Sequence, residues 1–466
     1  MPVFSVLVEW QTMSQKKIFL LLVAISSALL LRHGGHVSWT MRPFHLGYSS
    51  LQSSSASGLK TKHTSIAFLK THKTASTTVQ NLLFRFAERN NLTVALPIQA
   101  CDHQFCYPRT FSTRFVHSHT MSPQVITSHM RFNHSELRRL MPNDTVYITI
   151  LREPTSMFES LFSYYNQYCL SFKRVPNGSL EAFLEQPWHY YRPHEKDSMY
   201  ARNTLTFDLG GDKDRSPKDK AYIKGFIGEV ERIFSLVMIA EHFDESLVLL
   251  RHLLAWDLED MLYVRMNMRR PSSRRSLGAD LPARIRSWNA LDTALYEHFN
   301  KSLWERLRAL GLSSVGREVH LLQSAQVRLV QGCFGGRLPQ LRPAAFIRNK
   351  ELRPWQPSPK VDIMGYDLPP NASRLGRGAG AMSHDLCVKL LMPEVQYSRL
   401  LLRSQSQRYR RSHSLWVPPP ERPILAHAHS TVRSPLTLPS PTLSSQATDA
   451  RRQAGAVPQV LHKELL

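Results

Sequence analysis

Short apolar runs that end in polar turns are the main pattern along this chain. Residues 65–69 form one such run, with the length and composition of a buried strand. The polar residues 70–78 follow it, and apolar residues then recur at helical spacing, at Val79, Leu82, Leu83 and Phe86. This spacing predicts an amphipathic helix that begins near Ser76. A strand, a polar turn and a helix are therefore predicted in direct succession.

The turn between these two elements has the character of an anion-binding loop. The first N–H groups of a helix have no partner within the helix and point at whatever precedes it. Lys73 adds a positive charge there. Thr74, Ser76 and Thr77 add hydroxyl donors, and Ala75 is small enough to let an anion approach. The segment has no glycine and so is not a Walker A loop. A Ser- and Thr-rich helix cap with surface lysines is the alternative interpretation.

A second strand–helix unit is predicted at residues 146–165. Residues 146–151 are β-branched and apolar, which indicates a core strand. Pro154 suits the first turn of a helix, and an apolar stripe follows at Phe158, Leu161, Phe162 and Tyr165. Residues 234–240 predict a third strand, followed by a helix at 247–254. Repeated strand–helix units predict an α/β fold with a central parallel sheet flanked by helices.

The N-terminal region has the pattern of a membrane anchor. Lys16 and Lys17 precede an apolar run of 14 residues, which is short for a span of about 20. The lysines favour a cytosolic N-terminus, and no cleavage site follows that would indicate a signal peptide. We predict five segments: a cytosolic N-terminus at 1–17, a signal-anchor helix at 18–31, a stem at 32–63, a single lumenal domain at 64–400 and a disordered Pro-, Ser- and Arg-rich tail at 401–466.

The composition is consistent with a lumenal protein that binds anions. The formal net charge is +23 over 466 residues, and no nucleic-acid-binding motif accompanies it. Five cysteines allow two disulfides and one free thiol in an oxidising lumen, but their spacing leaves the pairing open and does not resemble a zinc site. Six N-x-[ST] sequons support lumenal exposure; they lie at Asn91, Asn133, Asn143, Asn177, Asn300 and Asn371.

Two segments resemble the nucleotide-binding motifs of Golgi carbohydrate sulfotransferases, in particular those of the galactose-3-O-sulfotransferase family. Residues 68–77 resemble the loop that binds the 5′-phosphosulfate of 3′-phosphoadenosine 5′-phosphosulfate (PAPS), the sulfate donor of these enzymes. Arg152 and Ser160 resemble the 3′-phosphate motif, although the relatives usually carry Asp or Asn where Glu153 stands. The resemblance implies donor contacts from the loop residues Lys70, Thr71, Lys73, Thr74, Ala75, Ser76 and Thr77.

The resemblance also implies catalytic roles. His129 ends an apolar–polar alternation, and galactose-3-O- and uronyl-2-O-sulfotransferases carry a similar histidine. The resemblance implies that His129 takes the proton from the attacking hydroxyl. Lys73 then neutralises the bridging oxygen of the departing nucleotide. His72, which adjoins Lys73, is a second candidate for the base. A structural role is the alternative interpretation of a lone histidine such as His129.

Residues 190–193 and 200–210 resemble the same family and suggest an acceptor site. Tyr200 and its aromatic neighbours suit stacking on a galactose face. Arg202 and Asn203 suit contacts to acceptor hydroxyls or to the nucleotide. Core tyrosines with a structural arginine explain the same residues equally well.

These features predict a single-pass type II Golgi membrane protein with a P-loop-like α/β domain in the lumen. Its expected reaction moves sulfate from PAPS to the 3-hydroxyl of terminal β-galactose on glycoprotein or glycolipid glycans. The expected partners are those glycans, the nucleotide donor and the membrane; we expect neither nucleic acid nor a metal. A P-loop kinase would need a Mg²⁺-binding carboxylate and Walker A glycines. A non-catalytic, basic glycan-binding Golgi protein of the same fold is the alternative function.

Overall fold

A computed structural model describes residues 61–266, 277–336, 339–356, 363–368 and 383–414. The predicted cytosolic N-terminus, the signal anchor and the stem up to residue 60 lie outside these residues. In the part of the chain that the structure describes, no helix has the length and apolar character needed to cross a bilayer.

The centre of the fold is a sheet of five parallel strands, in the order β2-β3-β1-β4-β5. β1 pairs with β3 on one side and with β4 on the other, so that Ile66 lies opposite both Val125 and Val146. The strands are β1 (Ile66–Leu69), β2 (Val94–Ala95), β3 (Val125–Ser128), β4 (Val146–Leu151) and β5 (Leu236–Ile239). The parallel α/β sheet predicted from the sequence is confirmed.

Helices flank this sheet and connect its strands. The helices before β5 are α1 (Ser76–Arg89), α2 (His134–Leu140), α3 (Pro154–Tyr165), α4 (Leu170–Lys173), α5 (Leu180–Glu185), α6 (Pro187–Tyr190), α7 (Thr204–Asp208) and α8 (Lys220–Ile233). Those after it are α9 (Phe243–Leu254), α10 (Leu281–Trp288), α11 (Ala290–Leu310), α12 (Leu312–Phe334), α13 (His384–Leu391) and α14 (Glu394–Ser414). A short antiparallel pair, β6 (Gln340–Pro343) and β7 (Met364–Asp367), lies apart from the main sheet.

The first two of the three predicted strand–helix units form where the apolar pattern placed them. β1 is completely apolar and buried, as expected for a strand covered on both faces. The apolar stripe of α1 is buried in the core, at Val79, Leu82, Leu83 and Phe86. α3 begins at Pro154, and its N-cap is Glu153, whose carboxylate accepts a 2.9 Å hydrogen bond from the Ser156 N–H.

The C-terminal helix corrects one predicted boundary. We expected residues 401–466 to be a disordered tail, but residues 401–414 belong to α14. Gln405 is buried, and its side-chain amide bonds the N–H and the carbonyl of Val94, with a distance of 3.1 Å to the carbonyl. α14 thereby supplies hydrogen-bond partners to the backbone of the edge strand β2, where a further strand would otherwise pair. The rest of the predicted tail lies outside the described residues.

The cysteine pairing that the sequence left open is resolved by proximity. Cys101 pairs with Cys106, and Cys333 pairs with Cys387, which ties α12 to α13. Cys169 is a buried thiol.

Candidate active site

A cavity of about 740 Å³ opens at the carboxyl ends of the parallel strands. From β1 the chain first builds β2 and β3 on one side and then crosses to β4 and β5 on the other. The connections after β1 and β4 therefore diverge, which creates the crevice where open α/β sheets bind their ligands. Most of the predicted site residues line this cavity: Lys70, His72, Lys73, Thr74, Ala75, Ser76, Thr77, His129, Arg152, Ser160 and Tyr200.

The loop between β1 and α1 is shaped without glycine. Lys73 and Ala75 both adopt left-handed backbone conformations, with φ of 58° and 65°. Each costs roughly 1–2 kcal/mol for a residue with a Cβ. Hydrogen bonds within the loop offset this cost, because the Thr71 carbonyl accepts bonds from the hydroxyls of Ser76 (2.6 Å) and Thr74 (3.2 Å).

These internal bonds change the expected donor set for an anion. The hydroxyls of Thr74 and Ser76 hold the loop, so the backbone N–H groups at the start of α1 are the donors best placed for a phosphate. Thr71 is not among the residues that line the cavity. Its hydroxyl donates to the carbonyl of Ile150 in β4, which braces the loop against the neighbouring strand.

The two predicted anion sites are direct neighbours. Arg152 follows β4, and its Nη1 donates a 3.1 Å hydrogen bond to the carbonyl of Lys73. The Lys73 ammonium lies 4.0 Å above the ring of Tyr164. Ser160, two turns into α3, is buried and lines the same cavity. A single elongated anionic ligand can therefore contact both elements at once.

His72 is held by a carboxylate that sequence reasoning missed. Both oxygens of Asp208, at the end of α7, accept bonds from the Nδ1–H of His72, at 2.9 and 3.0 Å. Asp208 also accepts a 2.9 Å bond from the His72 backbone N–H and a 2.8 Å bond from the hydroxyl of Tyr107. With the proton on Nδ1, the Nε2 atom carries a lone pair, and it has no hydrogen-bond partner among the described residues.

His129 is held in a different way. Its Nδ1–H donates to the carbonyl of Lys70, and its Nε2 accepts from the Lys70 ammonium, both at 2.9 Å. Burial and the neighbouring His72 and Lys70 hold the pKa of His129 well below its usual range. The two imidazoles stack with centroids 4.0 Å apart. His129 is therefore a neutral ring with both nitrogens engaged.

Aromatic side chains form a further wall of the cavity. The rings of Tyr165 and Tyr200 stack with centroids 3.7 Å apart, and the ring of Tyr107 lies 4.7 Å from that of His72. Trp355 lines the cavity near His103, at a centroid distance of 5.1 Å. Burial raises the pKa of Tyr165 and of Tyr200 well above the usual range, so both phenols stay neutral. Such a surface suits the apolar face of a sugar ring.

Two of the predicted acceptor residues are placed elsewhere. Arg202 is stacked on the indoles of Trp188 and Trp288, at 4.5 and 4.9 Å, and pairs with Asp214. Asn203 is buried, and its side-chain amide donates to the carbonyl of Lys213 at 2.7 Å. Neither residue lines the cavity. The structural interpretation of this segment therefore fits Arg202 and Asn203, whereas Tyr200 does reach the cavity.

The charges around the cavity favour an anion. The cations Lys70, Lys73, Arg152, Lys196 and Arg265 line it, against the carboxylates Asp197, Glu241 and Glu394. No group of three or more His, Cys, Asp or Glu side chains among the described residues has the geometry to hold a metal ion.

The sequons differ in their surroundings. Asn91, Asn143 and Asn177 are exposed. The amide of Asn133 is engaged in the fold: its oxygen caps α2, and its nitrogen donates to the carbonyl of Phe111 at 3.2 Å. Asn300 is partly buried, and Asn371 lies outside the described residues.

A polar loop after β1 and an arginine after the adjacent β4 meet in one cavity at the carboxyl edge of a parallel sheet, an arrangement typical of nucleotide-binding α/β enzymes. The model of the family described as galactose-3-O-sulfotransferase matches residues 1–405, and the chain belongs to this family.

Curated relatives agree with the family assignment. The chain is 57% identical over 418 residues to galactose-3-O-sulfotransferase 3 of Homo sapiens (88% of this chain, 94% of the relative). It is 44% identical over 349 residues to galactose-3-O-sulfotransferase 2 of Sus scrofa (73% and 84%). It is 40% identical over 335 residues to galactosylceramide sulfotransferase of Homo sapiens (71% and 76%). The motifs suggest to us a type-2 member, but the type-3 relative shares more residues with this chain.

Proposed function

We propose that this protein transfers a sulfuryl group from PAPS to the 3-hydroxyl of a terminal β-galactose on a glycan. The observation that carries the proposal is the contact between Lys73 and Arg152 in one cavity. One nucleotide with a phosphate at each end of its ribose can engage both residues, and family membership supports sulfate as the group transferred.

The donor would be held by two groups of residues. The backbone N–H groups at the start of α1, together with Lys73, would bind the 5′-phosphosulfate. Arg152 and Ser160 would bind the 3′-phosphate, the group that distinguishes PAPS from ATP. The donor set consists of N–H, ammonium, guanidinium and hydroxyl groups, so it fits a polyanion without requiring a metal.

His72 is the residue we assign as the base. The galactose O3 would attack sulfur while its proton moves to Nε2 of His72, whose Nδ1–H is held by Asp208. The bond between sulfur and the 5′-phosphate oxygen breaks, and Lys73 neutralises the charge that develops on that oxygen. The products are galactose 3-sulfate and adenosine 3′,5′-bisphosphate, with the proton left on His72.

This assignment reverses the order that the sequence suggested. His129 would have to release the Lys70 ammonium before its Nε2 could accept a proton, and it would then become a cation beside a cation. His72 meets neither obstacle, because its Nε2 is unpartnered among the described residues and Asp208 stabilises the imidazolium. His129 would instead support the ring of His72 by stacking.

The acceptor would occupy the aromatic end of the cavity. Tyr107, Tyr200 and Trp355 offer apolar faces for galactose, and Tyr107 stands next to His72. We further propose a Golgi membrane location with the catalytic domain in the lumen. The Lys-flanked apolar run at 18–31, the sequons and the two disulfides support that location.

The test is a transfer assay with PAPS and a panel of β-galactosides, with the product analysed by NMR. We expect sulfate on O3 of terminal galactose, and we expect adenosine 3′,5′-bisphosphate to raise the melting temperature of the protein. Absence of transfer to every galactoside, together with no melting shift, would refute the proposal. A melting shift without transfer would leave donor binding intact and refute the acceptor class.

A further inference from the structure

Glu394 is a charged residue of the cavity to which the proposed chemistry assigns no step. It is the first residue of α14, far along the chain from the anion loop. Its Oε2 nevertheless lies 2.6 Å from the ammonium of Lys70, and the two side chains are only 18% and 3% exposed. The C-terminal helix thus places a carboxylate directly behind the loop.

The Lys70 ammonium has two partners. It pairs with Glu394 on one side and donates to Nε2 of His129 on the other, while its own backbone carbonyl accepts from Nδ1–H of the same imidazole. Lys70 therefore forms hydrogen bonds with both nitrogens of His129 and fixes the orientation of the ring. The clamped ring stacks on His72 at an interplanar angle of 14°.

A buried ammonium is stable only with a counter-charge. Burial alone would raise the pKa of Glu394, but Lys70, His103 and His72 together outweigh it, with Lys70 the largest of the three, and the pKa lies below the usual range. Glu394 is therefore an ionised carboxylate. Among the described residues it is the carboxylate within ion-pairing distance of Lys70.

We propose that Glu394 is a positioning residue of the active site: its carboxylate holds the Lys70 ammonium on Nε2 of His129 and so keeps a neutral ring stacked against the base His72. This inference rests on the proposed function, because it assigns His72 as the base. It makes α14 a part of the active site rather than only a brace for the edge strand.

Loss of the carboxylate has a defined electrostatic consequence. The Lys70 charge becomes uncompensated beside two imidazoles, and this disfavours the protonated imidazole that the reaction forms. The other groups that face His72 remain in place; they are Asp208, Tyr107, Tyr165, Tyr200 and His129 itself. The base then accepts a proton less readily.

The experiment compares Glu394→Gln with the wild-type full-length chain in the PAPS–galactoside assay. We expect kcat to fall by about tenfold or more, with KM for PAPS little changed, since the loss falls on general-base catalysis. The acid limb of the pH–rate profile, which reports protonation of the base, moves to lower pH. Glu394→Asp keeps the charge and retains the wild-type pH profile, with an intermediate kcat.

Glu88→Gln is the matched control. Glu88 joins α1 to the C-terminal helices through Lys389 (2.8 Å) and the hydroxyl of Tyr397 (2.7 Å), and it does not line the cavity. This variant loosens the docking of α13 and α14 without touching the Lys70 ammonium. We expect a lower melting temperature and an unchanged pH profile.

A Glu394→Gln protein with wild-type kcat and pH profile would overturn the inference. An equal loss of kcat in Glu394→Gln and Glu88→Gln, with the acid limb of the pH–rate profile unmoved in both, would also overturn it. That result would mean that Glu394 acts only by docking α14 on the domain. If Glu394→Gln does not fold, a shifted acid limb in Glu394→Asp overturns it. A wild-type protein that sulfates no galactoside refutes the proposed function instead.

Discussion

The Asp208→Asn variant tests the central part of the proposed mechanism. Asp208 accepts three donors: the backbone N–H of His72 (2.9 Å), its Nδ1–H (2.9 Å) and the hydroxyl of Tyr107 (2.8 Å). An asparagine oxygen in the place of Oδ2 still accepts from the backbone N–H and the Nδ1–H of His72, so the tautomer is kept. The variant loses the negative charge that stabilises the imidazolium formed when His72 takes the proton from galactose.

The magnitude follows from the roles lost. The loss of imidazolium stabilisation weakens general-base catalysis, by about 10²-fold in kcat. This corresponds to about 3 kcal/mol on the barrier. Stability falls as well, by about 1–3 kcal/mol, because a buried donor loses its acceptor.

The assay is kcat at saturating PAPS and β-galactoside, with the melting shift from adenosine 3′,5′-bisphosphate as the measure of intact donor binding. Tyr107→Phe is the control, since it removes one hydrogen bond to the same carboxylate and leaves its charge and the His72 tautomer unchanged. We expect a much smaller loss of kcat in that variant. If Asp208→Asn retains the wild-type kcat, or loses no more than Tyr107→Phe, His72 is not the base.

Three further predictions concern the loop, the C-terminal helix and pH. Lys73→Ala should lower kcat for sulfate transfer by about 10²–10³-fold, since the charge on the leaving oxygen is no longer neutralised; an unchanged rate would remove Lys73 from the mechanism. Gln405→Ala should lower the free energy of unfolding, measured with urea, by about 1–3 kcal/mol, because the N–H and carbonyl of Val94 lose their partner. An unchanged urea midpoint would contradict the docking of α14 on β2. Burial raises the pKa of Asp292 to about 7. The native state therefore binds this proton more tightly than the unfolded state, and the free energy of unfolding should fall as pH rises from about 4 to about 7 and then level off. Asp292→Asn should flatten that slope. An equally steep slope in the variant would contradict the raised pKa of Asp292.

The parts of the fold predicted correctly from the sequence are those with strong local patterns. β4 was predicted with its observed bounds, and α1 and α3 begin where Ser76 and Pro154 indicated. Such elements depend on hydrophobic periodicity and cap residues within a few positions of each other. The position of the loop between β1 and α1 was predicted for the same reason, because a strand and a helix start enclose it directly.

The missed residues depend on contacts between distant parts of the chain. Asp208 lies in the segment 200–210 that resembles the family, but only the fold brings it to His72. Glu394 lies near the C-terminal end of the predicted domain, and its pairing with Lys70 joins opposite ends of that domain. No local periodicity encodes such a pair, and for Asp208 the available signal was a charged residue inside a family-like segment.

The errors have the same origin. Arg202 and Asn203 have the polar groups of a binding site, but other residues of the fold engage them: Asp214 pairs with Arg202, and the carbonyl of Lys213 accepts from Asn203. The start of the tail was placed too early because α14 is polar over most of its surface. Its buried residues beyond position 400, Leu401 and Gln405, are few, and one of them is polar, so the apolar pattern fades there.

The most direct test of the two-site account is nucleotide affinity in Arg152→Ala, measured by calorimetry. The wild-type protein should bind adenosine 3′,5′-bisphosphate more tightly than adenosine 5′-monophosphate. The affinity of the variant for the bisphosphate should fall by about 10- to 100-fold, the value of a charge-assisted hydrogen bond. Its affinity for the monophosphate, which has no 3′-phosphate, should fall much less, through the loss of the bond from Arg152 to the Lys73 carbonyl alone. An equal loss for both nucleotides, or no loss for either, would contradict the assignment of Arg152 to the 3′-phosphate.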